Sequence, residues 1–535
     1  IRNLFPLVLS IIIPPSMLTT KTKLIIILVI AALLRFWNIN FVPSLNPDEA
    51  ALGYNAYSLI QTGRDEHGIS WPLHFKSFGD YKPGGYIYLA LPFIKILGLT
   101  PLAVRLPNLI LSVLTVYILY KLVFLLFKSE TLALYSSLVL ALSPWHIHFS
   151  RGAWESATSV FFILLGIYFF YRFLNKPKSK YLFLFPLPFV ASLYVYHSAR
   201  LIAPLIVLTL FLLNLKKLLG YLSTTPLIIS IIVALLLSVP VAYSFLTSGG
   251  TTRFGGIGLF ADTGPVSRSE ELLNQHPHFS LYERLIHNKR TLYLLSFADK
   301  YFSHFNFNFL FIDGDAVPRS ASPEMGQMHL IELPLLLYGL YSFIRSKKIK
   351  SSLKIFFIAY LLISPLASSL TFQAPSALRA LSMVIPLSFV TAYGLYQLTP
   401  YLSTYLLIFL YLISSFYFLD AYFVHSPQRF SFAWNRGFKE IISLIETEKH
   451  NYQNIYVTNK YDQPYILYLF YSLYPPAEIQ RKINLTPPDH FGFSTVLQID
   501  NIHFQIPEHI PSNSLVIDAD DFKKNSQSFK IYSVK

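Results

Sequence analysis

Residues 102–127 read LAVRLPNLILSVLTVYILYKLVFLLF. As one helix the run is about 39 Å long, more than the roughly 30 Å hydrocarbon core of a bilayer. Its two cations, Arg105 and Lys121, lie toward its ends, where long basic side chains reach the interface. Comparable apolar blocks recur at 23–40, 130–148, 154–174, 181–198, 200–219, 223–247, 329–345, 351–371, 378–398 and 401–424. About eleven spans are therefore expected. A shorter block, 85–98, reads as a helix lying in the interface. The composition agrees: 53% of the 535 residues are hydrophobic and 13% charged, about half the charged share of a soluble domain. A wholly soluble protein is excluded. Cysteine is absent, which excludes disulfide frameworks, thiolate zinc sites and cysteine nucleophiles.

Lys plus Arg number 43 against 28 acids, a net charge of +15. In a membrane protein this excess is first a topology signal. The short loops holding Lys21/Lys23, Lys128, Lys176/Lys178/Lys180, Lys216/Lys217 and Arg345/Lys347/Lys348/Lys350 all fall on one side if 85–98 does not cross. That side is expected to be cytoplasmic, with the C-terminus outside. Residues 1–22 read as an N-terminal extension, 23–424 as the transmembrane domain and 425–535 as a small extracytoplasmic α/β domain. In that tail the pattern predicts helices near 436–449 and 464–474 and strands at 454–458, 495–499 and 514–517. Loops 40–100 and 248–328 are expected outside as well.

Polar residues gather at the expected outer boundary, where ionisable groups are costly and often functional. Asn46-Pro47-Asp48-Glu49 follows the first span. The acidic pair reads equally as a base, a metal ligand or a cation partner, or as a helix start with Asp48 the cap and Glu49 in the first turn. Lys82-Pro83-Gly84 opens the 85–98 block and suits a phosphate as well as the interface. Asp65 and Glu66 read as a solvated turn. Arg151, Arg200 and Arg379 each stand at an outer corner, beside Glu155, Tyr196-His197 and Ser376 respectively, and together suit one anion. His146, His148, His197 and His329 lack metal-ligand spacing with one another, and Asp313-Gly314-Asp315 reads as a turn. Dinucleotide and phosphate-loop fingerprints are absent. The basic clusters are short loops and point to no nucleic acid.

Pro47-Asp48-Glu49-Ala50, Gly53-Tyr54, Gly63, Lys82-Pro83 and Ala103-Val104-Arg105-Leu106-Pro107 together resemble the bacterial membrane glycosyltransferases related to protein O-mannosyltransferases and the lipid A aminoarabinose transferase. Ser150-Arg151, Tyr196 with Ala199-Arg200, and Ala377-Leu378-Arg379 fit further corners of that family, and the tail lies outside the resemblance. The chain departs from the family pattern at Gly84, where Lys-Pro-Pro is usual, and at Glu155, where many relatives carry Asp. The resemblance implies an all-α polytopic GT-C fold in the cell membrane and an inverting transfer of a sugar from a polyprenyl-phosphate donor. The acceptor would be a hydroxyl of a protein, lipid or glycan on the outer face, and membrane lipid a further partner. Asp48 is then expected as base and Glu49 as its orienting neighbour. Lys82, Arg151, Arg200 and Arg379 would hold the donor phosphate, supported by Glu155, Tyr196 and His197. No metal ligand is assigned, and a divalent metal is left open. The rivals are a flippase or transporter, which needs charges at mid-span, and a polymer ligase.

Overall fold

Proline and capping residues decide where the apolar blocks become helices. The computed structural model describes residues 18–176, 179–221, 224–247, 258–275, 281–489, 492–520 and 529–534. Each expected block is helical. The first helix, Thr20–Phe36, starts at Thr19, whose hydroxyl accepts from Thr22 N. The longest, Pro101–Phe127, has Thr100 as its cap and Pro101 in its first turn, and stops at Lys128 in the left-handed region. Three expected spans are broken by proline, whose ring cannot continue a helix without losing a hydrogen bond. The 130–148 block divides into Glu130–Leu142 and Pro144–Ser150. The 181–198 block divides at Pro186, and 351–371 at Pro365. Among the described residues, five helical segments are long and apolar enough to cross a membrane: Pro101–Phe127, Glu155–Asn175, Thr225–Ser244, Leu381–Leu398 and, with the two pieces either side of Pro365 taken together, Ser351–Ser369. The expected count of eleven counted shorter apolar helices such as Glu130–Leu142 and Ala199–Leu213 as full spans.

The helices pack around a large apolar core that includes Trp145, Leu164, Phe170 and Phe389, with a smaller cluster around Leu34, Leu142, Leu335 and Phe418. Phe357 and Phe389 stack with ring centroids 3.9 Å apart. Where Glu332–Arg345 crosses Val384–Leu398 the backbones touch. A Cβ on Gly339 would collide with Val390 O, and one on Gly394 with Leu335 O. This small-residue contact is a usual way for helices to associate in lipid.

Above one end of the bundle lie the first loop and the tail. The loop contributes the helix Pro47–Thr62, an antiparallel hairpin of His74–Ser77 with Asp80–Pro83, and the short helix Gly85–Leu97. The tail carries a five-stranded sheet in the order Gln498–Ile499, Ile502–His503, Asn454–Val457, Ser514–Ala519, Phe529–Val534. Its central strand pairs in parallel with both neighbours, and the edges are antiparallel. Helices Phe438–Glu448 and Pro464–Tyr471 occupy two predicted positions. Of the strand predicted at 495–499 only Gln498–Ile499 forms. Tail and loop share a second core: Tyr54, Tyr86 and Ala103 cluster with Tyr465, Phe470 and Ile517. Gly53 lies under the Phe470 ring, and Tyr54 donates to Tyr474 O at 2.8 Å.

Candidate active site

Asn46 begins the helix on which the acidic pair sits. Its side chain accepts from Glu49 N at 3.0 Å, and Glu49 accepts in return from Asn46 N at 3.3 Å. This reciprocal cap satisfies two donors that a helix start leaves open. The cap is therefore Asn46, with Pro47 and Asp48 in the first turn.

The two carboxylates then part. Glu49 is buried and takes a two-pronged bond from Arg105, at 2.7 Å from Nε and 2.6 Å from Nη2. Ala153 N adds a further donor at 2.8 Å. Arg105 spends its other protons on Ile39 O, Pro43 O and Ser44 O. Glu49 thus joins the end of the first span, the start of Pro101–Phe127 and the entry to Glu155–Asn175. Expected to orient Asp48, Glu49 has both its oxygens bound inside the protein, and it fixes the helix on which the two acids sit.

Asp48 points the other way. Its side chain is 38% exposed and receives Lys82 Nζ at 2.5 Å. Arg319 Nη1 lies 3.5 Å from its second oxygen, and Arg319 Nη2 lies 3.4 Å from Asp462 of the tail. The first loop, the middle loop and the tail thus each supply charge to one cluster. Lys82 is aimed by the hairpin and also lies 5.1 Å from the centre of the Phe78 ring. Arg319 is held by its own carbonyl, which accepts from His148 Nε2 at 2.8 Å.

The three expected arginines have different surroundings. Arg151 is buried and donates to Leu34 O, Arg35 O, Trp37 O and Val42 O. It closes the C-terminal end of the first helix, so its expected phosphate contact is corrected. Arg200 is half-buried and donates to His74 Nε2 at 2.7 Å. Burial and the Arg200 charge push the His74 imidazole down to about 4, so the ring is neutral and can accept. His197 Nε2 lies 3.0 Å from Tyr81 O, so both residues brace the hairpin that carries Lys82. Tyr196 ends the helix Pro186–Val195, and Glu155 begins Glu155–Asn175; both are half-buried. Arg379 donates to Gln373 O at 3.1 Å. It lies in the field of Asp315, whose carboxyl is pushed up by burial and drawn down by hydrogen bonds from Val317 N and Ala377 N.

Arg319 and Asp462 are the residues that sequence reasoning missed. Each is an isolated charge in a loop, far in the chain from Asp48, with no pattern around it. Asp65 and Glu66 are a further correction. Both are buried, not solvated. Asp65 turns the chain by accepting from His67 N and Ile69 N, and Glu66 accepts from Asn55 Nδ2 at 3.2 Å. Burial pushes the Glu66 carboxyl up to about 8. Among the described residues no three His, Asp or Glu side chains are grouped to hold a metal ion.

Comparison with known proteins adds the following. The family of dolichyl-phosphate-mannose-protein mannosyltransferases matches residues 25–193, which contain Asp48, Glu49, Lys82, Arg105 and Arg151. An uncharacterized protein of Aquifex aeolicus (strain VF5) is 27% identical over 170 residues, or 32% of this chain. The match spans 33% of the length of that curated relative. ArnT from Cupriavidus metallidurans bound to undecaprenyl phosphate is similar over 84% of each chain, at 12% identity and a TM-score of 0.53. The oligosaccharyltransferase AglB from Archaeoglobus fulgidus, in complex with an inhibitory peptide and a dolichol-phosphate, is similar over 85% of this chain and 63% of its own. Its identity is 12% and its TM-score 0.47. The likeness to ArnT is one of fold.

Proposed function

We propose that the chain is a membrane glycosyltransferase of the GT-C type, and that it moves a sugar from a polyprenyl-phosphate donor to an acceptor hydroxyl at the non-cytosolic face of the cell membrane. The observation that carries this reading is the half-open Asp48 carboxylate held between Lys82 and Arg319 at the head of the bundle. The family that matches residues 25–193 is named for a dolichyl-phosphate-mannose donor, and the similar ArnT structure contains undecaprenyl phosphate. Both support a lipid phosphate as leaving group.

In this reading Asp48 takes the proton of the acceptor hydroxyl as its oxygen attacks the anomeric carbon. The bond from that carbon to the phosphate oxygen breaks, its electron pair stays on the lipid phosphate, and the sugar inverts. Lys82, Arg200, Arg379 and Arg319 stabilise the charge that develops there, as fixed cations do where negative charge grows in a transition state. Lys82 shifts from Asp48 to the phosphate as the donor enters, which uncovers the base. Glu49 and Arg151 position the loop without touching substrate. Purified protein incubated with radiolabelled polyprenyl-phosphate sugars should release free lipid phosphate, and Asp48→Asn should not. Wild-type turnover in that variant would remove Asp48 as the base.

A further inference from the structure

Three helices end around a cavity. The residues at or just past the C-terminal ends of Pro101–Phe127, Glu155–Asn175 and Ala199–Leu213 line a hollow of about 960 Å³. Among the described residues its walls carry Lys128, Lys217, Arg345, Lys347, Lys348 and Lys350, and no carboxylate. Among the described residues none of these six belongs to an ion pair. Cations near helix C-termini commonly serve the terminal carbonyls. At the end of Glu332–Arg345 a lysine outside the lining does so: Lys354 donates to Ile344 O at 2.7 Å. All six lining cations are exposed, and like charges gathered around one opening make a positive field that favours an anion there. The deeper wall is apolar and aromatic, with Leu125 and the buried Tyr171 and Tyr393. Charge at the rim over an apolar wall matches a lipid, with its phosphate at the rim and its chains within.

We infer that this cavity, at the opposite end of the bundle from Asp48, binds a net-anionic phosphate group, as basic pockets between membrane helices bind acidic phospholipid headgroups. A soluble phosphate compound shares that chemistry, and the test separates the two sources.

The full chain is reconstituted in phosphatidylcholine vesicles containing a minor share of phosphatidylglycerol, re-extracted, and its retained lipid quantified. Wild type should retain phosphatidylglycerol about tenfold above its share of the bilayer. The variant R345Q/K347Q/K348Q should lose this enrichment, and R345K/K347R/K348R should keep it. K21Q/K23Q, whose lysines also sit in an expected cytoplasmic loop but do not line the cavity, should keep it too. In phosphatidylcholine alone, inorganic phosphate is added at millimolar concentration. A rise in the melting temperature of wild type and not of R345Q/K347Q/K348Q assigns the site to a soluble phosphate; lipid enrichment without that rise assigns it to the headgroup. Equal enrichment in wild type and R345Q/K347Q/K348Q overturns the inference. So does a wild type that shows neither enrichment nor a phosphate response.

Discussion

Asp48 and Glu49 are adjacent in the chain and separated in role by one helical step. Glu49 turns inward, where removing one partner of a buried ion pair leaves the other charge unpaired. Glu49→Ala should therefore lower stability by about 3–5 kcal/mol, read as detergent-solubilised thermal unfolding, before any effect on transfer is considered. An unchanged melting temperature would refute the locking role. Arg319 faces Asp48 and not the core, so Arg319→Ala should reduce turnover while leaving unfolding close to wild type. A variant with full activity would strike Arg319 from the site. Glu66 gives a pH signature. Its folded-state carboxyl is raised from 4.5 to about 8, so the folded chain keeps a proton that the unfolded chain has lost. Stability should then fall as pH rises from about 4.5 toward 8. Glu66→Gln, neutral throughout, should flatten that slope; identical pH profiles would show that Glu66 is not held protonated.

At the scale of elements, the hairpin His74–Ser77 with Asp80–Pro83 decides most. Its turn puts Gly79 at φ +85°, and a Cβ there would meet Gly492 O at 2.9 Å and Ser494 Oγ at 3.0 Å. Phe78 O accepts from Ser494 N at 2.8 Å, so the turn is also where the tail docks. Gly79→Val combines a left-handed backbone with a close approach, and should cost at least about 1–2 kcal/mol. It should loosen the tail, which limited proteolysis within residues 425–535 would report, and lower turnover by shifting Lys82. Wild-type protease resistance would mean that this contact does not hold the tail. Helix starts are written locally, although the first-loop cap expected at Asp48 lies two residues earlier, at Asn46. Asn46-Pro47 and Thr100-Pro101 carry their caps in a few adjacent residues. The breaks at Pro144, Pro186 and Pro365 depended on whether each proline fell inside a helix or at the start of a new one, which composition alone does not tell.

For the whole molecule, orientation is the open physical variable, and the absence of cysteine makes it directly measurable. Ser512→Cys, exposed in the tail, should react with an impermeant thiol reagent added outside, and Lys347→Cys, exposed in a basic loop, should resist it. The reverse pattern would invert the proposed topology and move the reaction to the cytosolic face.

The integral membrane character, the helical blocks and the basic loops were legible in the sequence, because hydrophobicity and charge are local and accumulate over about 20 residues. The resemblance of residues 40–200 set an acid and Lys82 in one expected site, the lysine on a phosphate, but gave no pairing between Asp48 and Lys82. The partners of each charge were not legible. Whether Arg151 met a phosphate or the carbonyls Leu34 O and Val42 O, and whether Asp48 met Arg319 and the tail's neighbouring Asp462, depended on segments more than 100 residues apart coming together. Burial, which made Glu66 a buried acid and Glu49 a lock, is a property of packing, and packing arises only when the loops, the bundle and the tail close on one another.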